Sequence, residues 1–236
     1  MGYEQSSGAA PASHAVKTDE PSPQELLLID ATARRFTQER ARRTYEALVA
    51  AASDAFLEHG YDATGTPDIA ARAGVSVGTF YRYFDDKKQI YLEVTRRHMA
   101  ALYHQVMDRL TPERFAGKEA RATITETVNI LFDQVNRHPT MHRVFLEMSL
   151  RDDDVMALRR AFDAISHEQL TRLIAAICPA VADPEATALV VLVAAGECAS
   201  VIAGIRGPLP IDTARSKAAL SSLIHRALFG IEEDVK

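Results

Sequence analysis

Residues 64–88 read TGTPDIAARAGVSVGTFYRYFDDKK, and this stretch decides the fold. Pro67 suits a first helical position, and Ile69, Ala70 and Ala73 follow at helical spacing. Gly74 then supplies the left-handed conformation that ends a helix. Val75 fills the corner, and Ser76 has the hydroxyl an N-cap needs, so a second helix starts at once. At 100° per residue its two arcs differ: Phe80, Tyr81 and Phe84 fall on one, Ser76, Thr79, Arg82 and Tyr83 on the other. The first arc is predicted to pack. The second offers hydroxyls and a guanidinium, the chemistry that meets phosphates and base edges in a major groove. A plain αα-hairpin shares the spacing, but cap, turn, both arcs and the following lysines all agree with a DNA-reading helix-turn-helix.

These residues resemble the TetR-type transcriptional regulators. The resemblance rests on Gly60-Tyr61, Ile69-Ala70, Ala73 to Ser76, Gly78 to Tyr81, Tyr83-Phe84 and Lys87 to Ile90, and it covers roughly residues 40 to 92. One departure lies at Gly65-Thr66, where the family usually has Thr followed by Val; Thr64 or Thr66 remains able to cap the helix. Face and resemblance together give the candidate DNA-binding residues Arg42, Arg43, Thr64, Thr66, Ser76, Val77, Gly78, Thr79, Tyr81, Arg82, Tyr83 and Lys87, with Lys87 as a basic clamp. The resemblance implies an all-α fold: a three-helix DNA-binding domain over residues 31–86, then a helical-bundle ligand-binding and dimerisation domain over residues 87–236.

Composition fits without demanding this. The 236 residues suffice for a substantial core in one domain or two, and a net charge of −5 argues against a general nucleic-acid coat. Yet residues 34–97 carry eleven Lys or Arg against nine Asp or Glu, so the positive end is the motif end. Arg34, Arg35, Arg40, Arg42 and Arg43 cluster just before helix one, where the resemblance places duplex backbone; the plain alternative is a solvated helix start. Phosphate neutralisation there makes binding steeply salt-dependent. Residues 1–30 read as a disordered tail, richest in Ser, Pro, Ala and Gly up to residue 23. Leu26, Leu27, Ile29 and Ala33 are placed to extend or precede helix one. No basic-then-apolar leader opens the chain, and Cys178 and Cys198 read as two buried thiols rather than a disulfide framework, which sets the expectation of a cytoplasmic protein.

Helix one is predicted from about 38 to 59, ending at Gly60. A linking helix capped by Asp85 or Asp86 follows, running to a break at Thr111-Pro112. Beyond it apolar residues recur every three or four positions with no strand alternation, giving helices near 118–137, 139–149, 153–178, 184–206 and 212–230, with prolines at the joints. Residues 186–205, ATALVVLVAAGECASVIAGI, are apolar nearly all round. Their length matches a membrane span, but Glu197 interrupts them. The small residues instead fit close helix crossing, so a dimeric four-helix seam is expected from Ala195, Ala199, Ile202, Ala203, Leu220, Leu223, Ile224 and Ala227; an intramolecular core is the alternative.

A homodimer suits a short reading helix, since two copies reach successive major grooves about 34–36 Å apart on a palindromic double-stranded operator. The resemblance implies a repressor whose small-molecule inducer, lipophilic by family default, sits among the middle helices. Candidate lining residues are Met99, Tyr103, Met107, Phe132, Phe145, Met148 and Phe162, each equally suited to core. Two enzyme-like signals carry less. Asp152-Asp153-Asp154 suits a helix N-terminus, and the i, i+4 pair His138 and His142 lacks a third metal ligand. No catalytic residue, cofactor or metal is assigned. The competing function is a helical small-molecule or protein-binding module with vestigial DNA binding.

Overall fold

Glycine and proline punctuation sets the helices. The structure, a computed structural model, describes residues 22–28, 38–115, 119–205, 207 and 211–230. The described chain forms α1 (Pro23–Leu28), α2 (Glu39–Ala63), α3 (Thr66–Arg72), α4 (Val77–Phe80), α5 (Lys87–Met107), a 3-10 turn (Pro112–Phe115), α6 (Ala120–Arg137), α7 (Pro139–Ser149), α8 (Asp153–Ile177), α9 (Pro184–Ile202) and α10 (Thr213–Phe229), with no strand among these residues. The fold is all-α, as the periodicity predicts. Most of the expected tail, together with Arg34 and Arg35, lies outside the described residues.

Local chemistry explains the starts and stops. The Asp86, Asp152, Asp183 and Asp212 side chains accept backbone N–H groups at the starts of α5, α8, α9 and α10, satisfying donors no helix can satisfy itself. Gly60 breaks α2 with φ +77°. The acidic run Asp152–Asp154 is therefore a cap and a dipole-matched first turn.

Two packed regions share α5. In the first, aromatic rings tie α2, α4 and the start of α5 together. Tyr45 stacks on Phe84 at 5.0 Å, and Tyr91 meets Phe56 and Tyr61 edge-on at 5.2 and 4.9 Å. Phe56, Phe80, Phe84 and Tyr91 are fully buried, each contributing about 1.5–3 kcal/mol of apolar burial. In the second, the rest of α5 packs on α8, with α6, α7, α9 and α10 completing the bundle.

Two contacts fix how α5 and α8 run. Lys88 pairs with Asp154 at 2.7 Å at one end, and the Tyr103 hydroxyl donates to Gln169 at the other; both links span 66 residues. The helices are therefore parallel and pinned at both ends. Arg97 on α5 further grips Glu46 on α2 through two nitrogens, at 2.5 and 3.0 Å.

Of the apolar residues expected to extend or precede helix one, Leu26 and Leu27 precede it, while Ile29 and Ala33 lie outside the described residues: α1 is a separate helix docked on α5 and α8, with Leu27 fully buried and its carbonyl accepting from Arg96 at 3.2 Å. The expectation of two buried thiols changes. Cys178 is buried but Cys198 is exposed, because α9 is covered on only part of its surface. That helix is long and apolar enough to cross a membrane by length and composition, and only 17% of its most apolar window is buried.

Candidate nucleic-acid interface and inner cavity

The α3–α4 turn is built by its backbone. Gly74 adopts φ +68°, where an L side chain is strained, and the Val75 N–H returns to Ala70 O at 3.0 Å. Asp68 reaches back to the Gly65 N–H at 3.3 Å, so Gly65 rather than either threonine starts α3. Ser76 caps α4, accepting from the Thr79 N–H at 3.1 Å, with its hydroxyl 2.9 Å from that of Thr79. Regular helix ends at Phe80, but turn bonds such as Phe84 N–H to Phe80 O at 3.1 Å carry the coil onward.

The candidate DNA-binding residues separate into an exposed surface and a supporting frame. Ser76, Val77, Gly78, Tyr81 and Arg82 are exposed, and Thr79 is half-buried beside them. A Cβ on Gly78 would meet nothing closer than Ser76 Oγ at 3.8 Å, so packing within the chain does not require glycine there. Tyr81, placed on the packing arc by the helical wheel, is 52% exposed and lies with its hydroxyl 3.2 Å from that of Thr66. The wheel fails because α4 has only four residues before the turn alters the angles. Tyr83, assigned outward, is instead half-buried, 6.4 Å from the Tyr45 ring.

Thr64 and Lys87 belong to the frame. Thr64 is 2% exposed, and its hydroxyl donates to Gly60 O at 2.7 Å. Lys87 is not a free clamp: it donates to Tyr61 O at 2.8 Å and lies over that ring at 4.3 Å. Arg42 and Arg43 are exposed, but both contact Glu39 at 3.0 Å, holding its carboxyl below the ordinary range.

A cavity of about 370 Å³ opens among α5 to α10. Met99, Tyr103, Met107, Phe145 and Phe162 line it; Phe132 and Met148 do not, being packed into the core. Sequence reasoning missed its polar lining, which includes His98, His142, Arg159, Asp163, Ser166, His167, Glu197 and Ser200 with Thr95 and Thr127. The only hint was that these residues stand at inward positions of otherwise apolar helices. Burial and the neighbouring rings of His138 and His142 push His98 down to about 4, and burial also lowers His142, so both are neutral near pH 7. Among the described residues no group of three or more His, Cys, Asp or Glu is placed to hold a metal.

The candidate dimer residues divide too. Ala199, Leu220 and Ile224 are buried within the chain, and Ala195 and Ile224 face the cavity. Ile202 and Ala203 are half-buried, whereas Ala227 and Leu223 are exposed. The exposed apolar surface instead includes Leu189, Val190, Val193 and Leu223, each 55–65% exposed, with Leu189 and Val193 also bordering the cavity.

Residues 48–94, which hold this turn and its supporting helices, match the profile of bacterial regulatory proteins, tetR family. The chain is 33% identical over 100 residues to the transcriptional activator FasR of Mycolicibacterium smegmatis, covering 42% of this chain and 44% of that protein. It is 38% identical over 63 residues to the transcriptional repressor BepR of Brucella suis, covering 27% and 30%. These matches span less than half the length of either relative. In fold, the chain is similar to a protein assigned to the TetR family from Mesorhizobium loti (TM-score 0.66, 18% identity, 81% of this chain and 98% of that one). It is also similar to SmeT, the efflux-pump repressor of Stenotrophomonas maltophilia, in complex with triclosan (TM-score 0.62, 19% identity, 78% and 90%). The motif's geometry, the profile match over it and the shared helical architecture agree: residues 48–94 carry the DNA-reading segment of the tetR family of bacterial regulatory proteins, and the chain has the all-α fold of solved TetR-family structures.

Proposed function

We propose that this protein is a cytoplasmic repressor that binds a palindromic operator as a homodimer and leaves it when a small, largely apolar molecule enters the cavity. Residues 31–86 form the DNA-binding domain in this reading and residues 87–236 the ligand-binding and dimerisation domain. The observation that carries it is α5. Its first turn is bonded into the DNA-reading frame through Lys87 and Tyr61, while Met99, Tyr103 and Met107 further along wall the cavity. One rigid helix thus touches both sites, and a ligand that favours another tilt of α5 alters the spacing of two reading heads. The shift is limited to the ligand's differential affinity for the two tilts, and DNA and ligand weaken each other equally.

Ser76, Val77, Gly78, Thr79, Tyr81 and Arg82 meet the duplex, Thr66 supports Tyr81, and Arg42 and Arg43 neutralise phosphates. Open space at Gly78 suits close approach of a phosphate. The exposed strip on α9 and α10, rather than the buried Ala199 or Leu220, forms the dimer seam; an apolar strip of this kind marks an interaction surface. Relatives carry both signs of regulation in their names, and the repressor sign rests on BepR and SmeT.

The test is to capture genomic fragments with the purified protein at near-physiological salt and sequence those retained. A short palindrome is expected; its absence refutes the dimeric reader. Tyr81→Ala and Arg82→Ala should abolish retention with the dimer intact, and unchanged retention would favour the helical binding module. Replacing Arg42 and Arg43 should flatten the salt dependence by about one unit of slope for each phosphate no longer neutralised.

A further inference from the structure

The cavity's polar lining specifies more than a lipophilic guest, a reading that rests on the cavity being the ligand site. Ser200 Oγ lies 2.9 Å from Gly196 O, and His142 Nε2 lies 3.1 Å from the same hydroxyl. Two oxygens approach this closely only with a proton between them, and a carbonyl has none to give. The single hydroxyl proton of Ser200 is therefore committed to Gly196. His142 Nε2 must then carry hydrogen and donate to Ser200, which leaves the Nδ1 lone pair as an acceptor. The imidazole is neutral, since burial and nearby Arg159 both disfavour its cation.

Neighbouring groups add to this. His98 lines the same cavity from α5 and makes no hydrogen bond among the described residues. Its ring meets His138 edge-on at 6.0 Å. Ser166 and Thr95 also line the cavity, each 2% exposed, and neither hydroxyl has a hydrogen-bond partner among the described residues. By the 66-residue register of α5 and α8, Ser166 lies level with residue 100, so Thr95, His98 and Ser166 occupy roughly 8 Å along the wall.

Charge decides the head group. Arg159 has its own anion, Asp163, at 3.8 Å, and donates to Ser149 Oγ at 3.4 Å. A carboxylate guest would face the His142 lone pair and the Glu197 side chain. An ammonium guest would leave water for a mostly apolar chamber whose carboxylates are already engaged, Asp163 by Arg159 at 3.8 Å and Glu197 by a contact of its own, a costly transfer.

We propose that the cavity selects an uncharged, mostly apolar molecule bearing a hydrogen-bond-donating hydroxyl, an alkylphenol or long-chain alcohol in class, whose O–H is received by His142 with His98 beside it. Displacement of the fluorescent probe N-phenylnaphthylamine from the full-length protein tests this with a matched set: para-heptylphenol, its methyl ether, para-heptylbenzoate and para-heptylbenzylammonium. The phenol should bind about five- to tenfold tighter than the ether, the worth of one hydrogen bond, and tighter than either ion. His142→Phe should bring phenol and ether affinities within about twofold of each other. Nitrogen NMR of the histidine rings should show the Nε2–H form at His142, and Ser200→Ala should relax that form even if the phenylalanine variant does not fold. Equal phenol and ether affinities, tighter binding of an ion, or an Nδ1–H form would overturn the inference while leaving the ligand site standing. Failure of the dye and every probe to enter would overturn both.

Discussion

Thr64 and Thr66, two residues apart in the turn region, should separate stability from DNA binding. The Thr64 hydroxyl, buried at 2% exposure, donates to Gly60 O at 2.7 Å and lies 3.2 Å from Ala55 O, fastening the end of α2 where Gly60 breaks it. Thr64→Val keeps the shape but presents a methyl to both carbonyls. Losing a buried hydrogen bond of this kind costs about 1–2 kcal/mol. At about 2–4 °C per kcal/mol for a chain of this size, Tm should fall by about 2–8 °C. The Thr66 hydroxyl instead meets the exposed Tyr81 hydroxyl at 3.2 Å. Thr66→Val should leave stability within about 0.5 kcal/mol, as surface changes do. Through Tyr81 it should weaken operator binding about fivefold, with the salt slope unchanged because no charge is lost. Thermal melts and fluorescence anisotropy on the captured operator read both quantities from the same samples. A Thr64→Val protein that keeps its Tm but loses operator affinity would refute the division.

Lys88→Met removes the ion pairs with Asp152 at 3.2 Å and Asp154 at 2.7 Å, and should reduce the factor by which bound N-phenylnaphthylamine lowers operator affinity; an undiminished factor would mean coupling bypasses this pin. His98 stays neutral in the fold down to about 4 but takes up a proton near 6.5 when unfolded, so acidification between those values should destabilise the protein. The loss should approach about 3 kcal/mol, His142 adding in the same direction, and urea titrations of His98→Gln should show a shallower pH dependence. Leu27→Ala should release α1 alone, speeding amide exchange at residues 22–28 while Tm falls less than the about 2–5 kcal/mol of a core Leu→Ala implies, since a six-residue helix opens independently.

What could be read in the sequence follows the range of the forces involved. Helices were legible because period, cap and proline are local: the expected 139–149 corresponds to Pro139–Ser149, and 153–178 to Asp153–Ile177. The reading turn was legible too, since Gly74 and Ser76 act within four residues. Side-chain roles depend on distant partners. Nothing near Lys87 in sequence indicates Tyr61, 26 residues away, and nothing near His142 indicates Ser200, 58 residues away. Tyr81 was misplaced for another reason: a helical wheel assumes more helix than four residues provide. The small residues of α9 were apolar as read, but Ala195 turns to the cavity and Ala199 to the core, a choice composition alone does not make.

The paired 66-residue links between α5 and α8 have an evolutionary consequence. Everything between them in the chain, including α6 and α7, is an excursion that leaves one pinned helix and returns at the other. Insertions, deletions or substitutions in that excursion reshape one wall of the cavity without disturbing the register by which α5 is held. Taste for a ligand and transmission of its presence are thus borne by different stretches of chain, and a lineage can change the molecule it senses while keeping the lever that reports it.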